Sequence, residues 1–113
     1  IGYSSEVKLS RPEFLVGLYD ELNRRVFWLD SSIVGTFPDS LPKNGSVTCR
    51  TGPINLTPGP FHVNVAVRTG GVLADHIVSA CSVEVEAIDF YGTGKLTDRQ
   101  TALCLVQQEW GEQ

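Results

Sequence analysis

From Phe61 to Arg68 apolar and polar positions alternate without a break. Phe61, Val63, Val65 and Val67 point one way; His62, Asn64, Ala66 and Arg68 point the other. A period of two in a run rich in β-branched and aromatic residues predicts a half-buried strand. Thr57-Pro58-Gly59-Pro60 supplies the turn before it and Gly70-Gly71 the turn after it. One face of this strand must meet a core, and the other faces water or a ligand. A second alternating run comes after a less regular stretch at Val72–Ser79: Cys81, Val83 and Val85 read inward, and Ser82, Glu84 and Glu86 outward.

The flanking segments complete a pattern of strands and turns. Residues 1–9 read as a short strand with Ile1 and Tyr3 on one face. Phe14, Leu18, Leu22 and Val26 recur at every fourth position, and Ser10-Arg11-Pro12-Glu13 imitates a capping box, so a helix over 11–28 is one local reading. The other is a strand Glu13–Tyr19 with Phe14, Val16 and Leu18 inward, a turn at Asp20–Arg24, and a strand Arg25–Ser31. The second is favoured, because a lone helix among strands needs a sheet face of its own. Residues 35–46 carry Pro and Gly without periodicity and read as loop. Val47–Arg50 reads as the start of another strand, with Ile54–Leu56 its candidate continuation past Gly52-Pro53. Asp89–Thr97 is a glycine-bearing loop, and 101–110 reads as a final apolar strand ending in Trp110. About seven or eight short strands separated by turns predict an all-β antiparallel sandwich.

Composition narrows the function classes. At 113 residues the chain suits one domain, 1–113, with a core of its own. A net charge of −4 without a basic run argues against nucleic acid and anionic membrane. No apolar run approaches the ~18 residues of a transmembrane helix. The chain starts at Ile1 inside an apparent strand, which reads as part of a longer or processed protein. Cys49, Cys81 and Cys104 are widely spaced, form no CxxC pair, and read as small buried free thiols suited to a reducing compartment.

Little here has the pattern of catalysis. Asp75-His76 with Cys81 holds the residue types of a cysteine hydrolase, but Cys81 has inward parity, whereas a nucleophile must be exposed and activated. Asp75 and His76 read better as turn or strand-edge hydrogen-bonding groups. His62 and His76 lack the carboxylates of a metal ligand set. Gly92-Thr93-Gly94-Lys95 lacks the spacing of a phosphate loop and reads as a tight turn. The outward row His62, Asn64, Arg68, beside aromatics Tyr19, Trp28, Phe90, Tyr91 and Trp110, has the chemistry of a sugar site. A pyranose offers an apolar C–H face to a ring and a rim of hydroxyls to donors and acceptors. The plainer reading makes Trp28 and Trp110 core anchors and the polar row merely solvated.

The order of these features resembles a known family. Leu-x-Pro-Gly (56–59), the aromatic-started strand 61–68, Leu-x-Asp-His (73–76), Ala-x-Ser-Val-Glu-Val (80–85), Tyr-Gly-Thr-Gly-Lys-Leu (91–96) and Glu-Trp (109–110) succeed one another. This is similar to the C-terminal carbohydrate-binding domain of ABC-transporter ATPase subunits that export O-antigen and related polysaccharides (the Wzt type). The resemblance covers 54–110; residues 12–36 fit it only loosely, and the family's opening strand would precede Ile1. It implies an immunoglobulin-like sandwich that is not an enzyme. It also implies a parent chain whose nucleotide-binding domain, using ATP and Mg, lies elsewhere; the domain itself needs no cofactor. The implied partners are a polysaccharide on a lipid carrier, a second copy in a homodimer, and the transmembrane permease. The implied location is the cytoplasmic face of the bacterial inner membrane. The family's pocket varies with its glycan, so the candidate site rests on the outward face: His62, Asn64 and Arg68, with Trp28 or Tyr19 as stacking platform. The flexible Gly92–Asp98 segment would let residues 101–110 pair with a partner's sheet. The rival reading is a sandwich that contacts protein and not sugar, through the acidic Glu84/Glu86 edge and the apolar C-terminal strand.

Overall fold

The computed structural model describes residues 1–35 and 37–112. It is all-β and antiparallel. The strands are β1 (Gly2–Ser4), β2 (Leu9–Ser10), β3 (Pro12–Tyr19), β4 (Arg25–Asp30), β5 (Ser40–Leu41), β6 (Asn44–Ser46), β7 (Gly59–Thr69) and β8 (Val72–Val85). Four of them form the main sheet in the order β4-β3-β7-β8; β1 pairs with β6 and β2 with β5 in two small sheets.

The 12–31 segment forms two strands and no helix. Its turn is built by Asp20, whose carboxylate accepts the backbone N–H groups of Leu22 (3.0 Å) and Arg24 (2.8 Å) and the Arg24 guanidinium (2.6 Å). Asn23 takes the left-handed conformation there (φ 59°). Burial alone would raise the Asp20 carboxyl; the Arg24 N–H, the Arg24 guanidinium and the Leu22 N–H outweigh it and hold the group below its ordinary value. β7 and β8 are joined through Gly70 (φ 58°) and Gly71 (φ 84°), the positive-φ pair that a two-residue hairpin of this twist requires.

Phe14, Leu18 and Phe61 are buried on one face of the main sheet, the inner one, each contributing roughly 1.5–3 kcal/mol by area removed from water. The second layer lies over them. The Tyr3 ring of β1 and the Phe37 ring sit 5.9 and 5.7 Å from that of Phe14. Farther along, the fully buried Thr57 donates its hydroxyl to the Ala102 carbonyl (2.8 Å), Leu105 is buried, and Leu56 bridges Cys104. This layer is narrower than the main sheet. Val63, Val65 and Val67 are only half-buried, and Ile77 and Val83 of β8 are exposed.

Five expectations are corrected. The 35–46 stretch contains β5 and β6, strands too short to show a period. Val47–Arg50 is not a strand: the ladder with β1 runs through 44–46, and Val47 adds only a backbone bond to Ile1. Residues 101–110 form no strand beyond the bridge at Cys104, because no strand lies alongside Val106–Trp110. All three cysteines are exposed. Cys81 does have inward parity, opposite Val63, but among the described residues nothing covers that part of β8. Trp110, at 90% exposed, anchors no core. No helix among the described residues is long and apolar enough to cross a membrane.

Candidate binding face

Residues directly opposite in an antiparallel ladder share a face. Tyr19 stands opposite His62, Gly17 opposite Asn64, Leu15 opposite Ala66, and Glu13 opposite Arg68. On the other side of β3, Trp28 faces Gly17 and Asp30 faces Leu15. Tyr19, Trp28, His62, Asn64 and Arg68 therefore lie together on the outer face, away from Phe14 and Phe61. Six residue steps along the strand separate His62 from Arg68, roughly 20 Å at the rise of an extended chain.

The centre of this face is an aromatic–cation stack. The Tyr19 and His62 rings lie 5.6 Å apart and nearly parallel, at 15°. The Arg25 guanidinium carbon lies 5.6 Å from the Tyr19 ring centroid and 4.5 Å from that of Trp28, and Arg25 Nε–H donates to the Tyr19 hydroxyl (3.1 Å). Gly17 makes room for this. A Cβ there would lie 2.6 Å from Tyr19 Cε2, so the ring leans across the glycine. Sequence reasoning missed Arg25. In a regular strand residues 25 and 28 point opposite ways. A register shift, with Leu18 opposite Phe27 but Tyr19 opposite Arg25, puts both on the outer face.

The remaining predicted residues are partly occupied. Asn64 Oδ1 accepts the Ser79 N–H (2.8 Å), stitching β7 to β8 where the ladder jumps from Val63–Cys81 to Val65–Ile77 and Ser79 has φ 53°. Among the described residues its amide N–H groups meet no acceptor. Arg68 Nη2 meets Glu13 (2.9 Å) and Asp30 (3.5 Å), which neutralise it. Burial would raise the Asp30 carboxyl, but the Ser32 hydroxyl and N–H and the Arg68 charge bring it below its ordinary value.

Beyond His62 the face ends in a shallow cleft of about 320 Å³ lined by Glu21, Pro60, His62, Ser82 and Glu84. Its wall is braced by Arg99, which donates from Nε to Glu21 (2.8 Å) and from Nη2 to Glu21 and the Pro60 carbonyl, over the Phe61 ring. The bond from Arg99 holds the Glu21 carboxyl below its ordinary value.

Other candidates separate in space. His76 stands opposite Ala66 on the outer face, whereas Cys81 stands opposite Val63 on the inner one, so the two cannot act on each other as base and nucleophile. The Asp75 carboxylate accepts the His76 N–H (2.8 Å), a local strand-edge bond. Among the described residues no three His, Cys, Asp or Glu side chains cluster as a metal site. Gly92-Thr93-Gly94-Lys95 is a turn, with Gly94 N–H on the Asp89 carboxylate (2.9 Å). No family model matches the chain, and no curated protein sequence matches it.

Proposed function

We propose that this chain is a non-catalytic glycan-binding domain that recognises a lipid-linked, O-antigen-like surface polysaccharide for export by an ABC transporter. The observation that carries the reading is the convergence of Tyr19, Trp28, His62, Asn64 and Arg68 on one outer face around a stack of planar groups. Trp28, 39% exposed, offers a ring to a sugar's C–H face, and His62 and Asn64 offer hydrogen bonds to its hydroxyls. A face roughly 20 Å long takes several sugar rings, not one. The immunoglobulin-like arrangement, the permease partner and the cytoplasmic face of the bacterial inner membrane belong to the same proposal. NMR titration of the chain with the surface polysaccharide of its source organism tests it. Saturable shifts at His62, Trp28 and Tyr19 support the reading; a folded sample without shifts refutes it.

The domain works as a homodimer in this reading. The chain exposes 8181 Å², against about 6,100 Å² for a compact monomer of its mass. Its radius of gyration is 17.8 Å, against about 13 Å for a compact domain of this length. The excess matches what a chain loses to a large interface. β8 offers a free edge bearing exposed Val72, Leu73, Ile77 and Val78, and residues 106–112 have no strand partner of their own. We propose that the C-terminal segment of one copy pairs with the sheet of the other. The exposed apolar row on β8 also supports the rival assembly module, for which the titration would be silent while dimers persist.

A further inference from the structure

Three arginines near the sheet have their charge met by carboxylates: Arg24 by Asp20, Arg68 by Glu13 and Asp30, and Arg99 by Glu21. Arg25 meets none among the described residues, yet it is held in place. Its guanidinium lies over Trp28 and Tyr19, and its Nε is anchored on the Tyr19 hydroxyl. A surface arginine ordinarily swings in water and loses rotamer freedom when it binds. Here much of that cost is already met by the fold, which favours binding through preorganisation.

With Nε engaged, the two terminal nitrogens remain as a planar fork. Such a fork matches a carboxylate or a phosphate, each offering two acceptor oxygens in a plane. The chain is acidic overall, so an anion is drawn to the face by a local positive group and not by net charge. The opposite end of the face is unsuitable, because the Glu13 and Asp30 carboxylates already offset the Arg68 charge and repel a second anion.

We infer that the glycan taken by this face carries an anionic substituent, a ring carboxylate or a phosphate ester, received by Nη1 and Nη2 of Arg25 beside a sugar ring stacked on Trp28. The inference rests on the glycan reading above and names the chemical class of its ligand.

The test titrates methyl β-glucuronide, glucose 6-phosphate and methyl β-glucoside into the wild-type chain and the Arg25→Gln variant, tracked by amide and ring NMR shifts. At least one anionic sugar is expected to bind about tenfold tighter than the neutral glucoside, the ratio of one charge-assisted hydrogen bond. Which one does so separates carboxylate from phosphate. In Arg25→Gln the ratio falls to within about twofold while the glucoside still binds, since Trp28 and His62 remain. Equal binding of all three sugars, or a preference that survives in Arg25→Gln, overturns the anion and leaves the glycan reading standing. Silence toward all three sugars overturns the inference as well; silence toward the polysaccharide overturns both.

Discussion

Gly17→Ala is a small change with a defined mechanical consequence. The new methyl would lie 2.6 Å from Tyr19 Cε2, 3.0 Å from its hydroxyl oxygen and 3.1 Å from Cζ. Gly17 sits in regular strand, so alanine strains no backbone. The Tyr19 ring must leave. Its departure removes the Arg25 hydrogen bond, about 1 kcal/mol, and the His62 stack, about another 1 kcal/mol. The cation–π contact with Arg25 adds about 0.5 kcal/mol at an exposed site. Alanine returns about 0.5–1 kcal/mol through the lower entropy of its unfolded chain. The net is a destabilisation of roughly 1.5–2 kcal/mol. Urea unfolding measures it, and the His62 ring protons report loss of the stack directly. The decisive comparison is Gly17→Ala in a Tyr19→Ala background. Without the ring to displace, the same methyl is expected to stabilise by about 0.5–1 kcal/mol. A Gly17→Ala effect of the same sign and size in both backgrounds refutes the argument, and unchanged His62 shifts in the single variant refute it equally.

Alanine at His62 is expected to weaken polysaccharide binding by about tenfold and to lower stability by no more than the about 1 kcal/mol of its stack on Tyr19, so that affinity measured at matched folded fraction isolates the binding role. Arg68→Ala costs up to about 1 kcal/mol of stability, because its ion pairs are partly solvated, and affinity measured at matched folded fraction checks its separate role in binding. Truncation after Leu105 keeps the buried Leu105 and the Cys104 bridge, and is expected to give folded monomers by light scattering; intact dimers would exclude the C-terminal segment from the interface. Asp20 binds its proton less readily folded than unfolded, so its contribution is complete above the ordinary carboxylate value near pH 4 and is lost as pH falls through the lower folded value; acid titration of Asp20→Asn should show a flatter stability profile in that window. All three thiols should react with an aromatic disulfide reagent in the native protein, and slow reaction limited by unfolding would contradict their exposure.

How much the sequence discloses depends on how parity survives along each strand. β7 is legible because its alternation is unbroken and its bounding glycines take the positive φ that a tight turn needs. β3 is legible despite the helical imitation. A spacing of four is also even, so Phe14 and Leu18 share a strand face, while Leu22 falls in the exposed turn. β8 runs unbroken from Val72 to Val85, yet its first half looks irregular. The one-residue register shift at Ala74 flips the parity of the residues before it, and the two-residue insertion around Ser79, where the backbone turns to positive φ, interrupts the pairing while keeping parity, so the alternation is obscured without ending the strand. The same effect hid Arg25, whose neighbour Val26 absorbs the shift between Tyr19 and Leu18. The shared outer face of His62, Asn64 and Arg68 was legible from their parity; that Arg68 is spoken for by Glu13 and Asp30 depends on a ladder pairing that no local pattern encodes.

Alternation tells which way a side chain points, not whether anything covers it. Cys81 and Val83 point inward and are nevertheless exposed, as is Ile77 in the same row. This is the physical ground for treating the second layer as unfinished within one copy. An exposed edge strand of this length, with valine, leucine and isoleucine along it and no proline, is an aggregation hazard if left open. Its bulges relieve part of that hazard by twisting the edge; a strand supplied by a second copy would remove the rest. In the proposed arrangement assembly and recognition would use opposite faces of the sheet. Dimerisation would complete the inner side, on which Phe14 and Phe61 already pack, and leave the Trp28–Arg25–Tyr19–His62 stack open to ligand. A dimer-breaking truncation should therefore lower stability and valency together, while the intrinsic affinity of each outer face, measured with a ligand too short to bridge two copies, stays within about twofold of the dimer's.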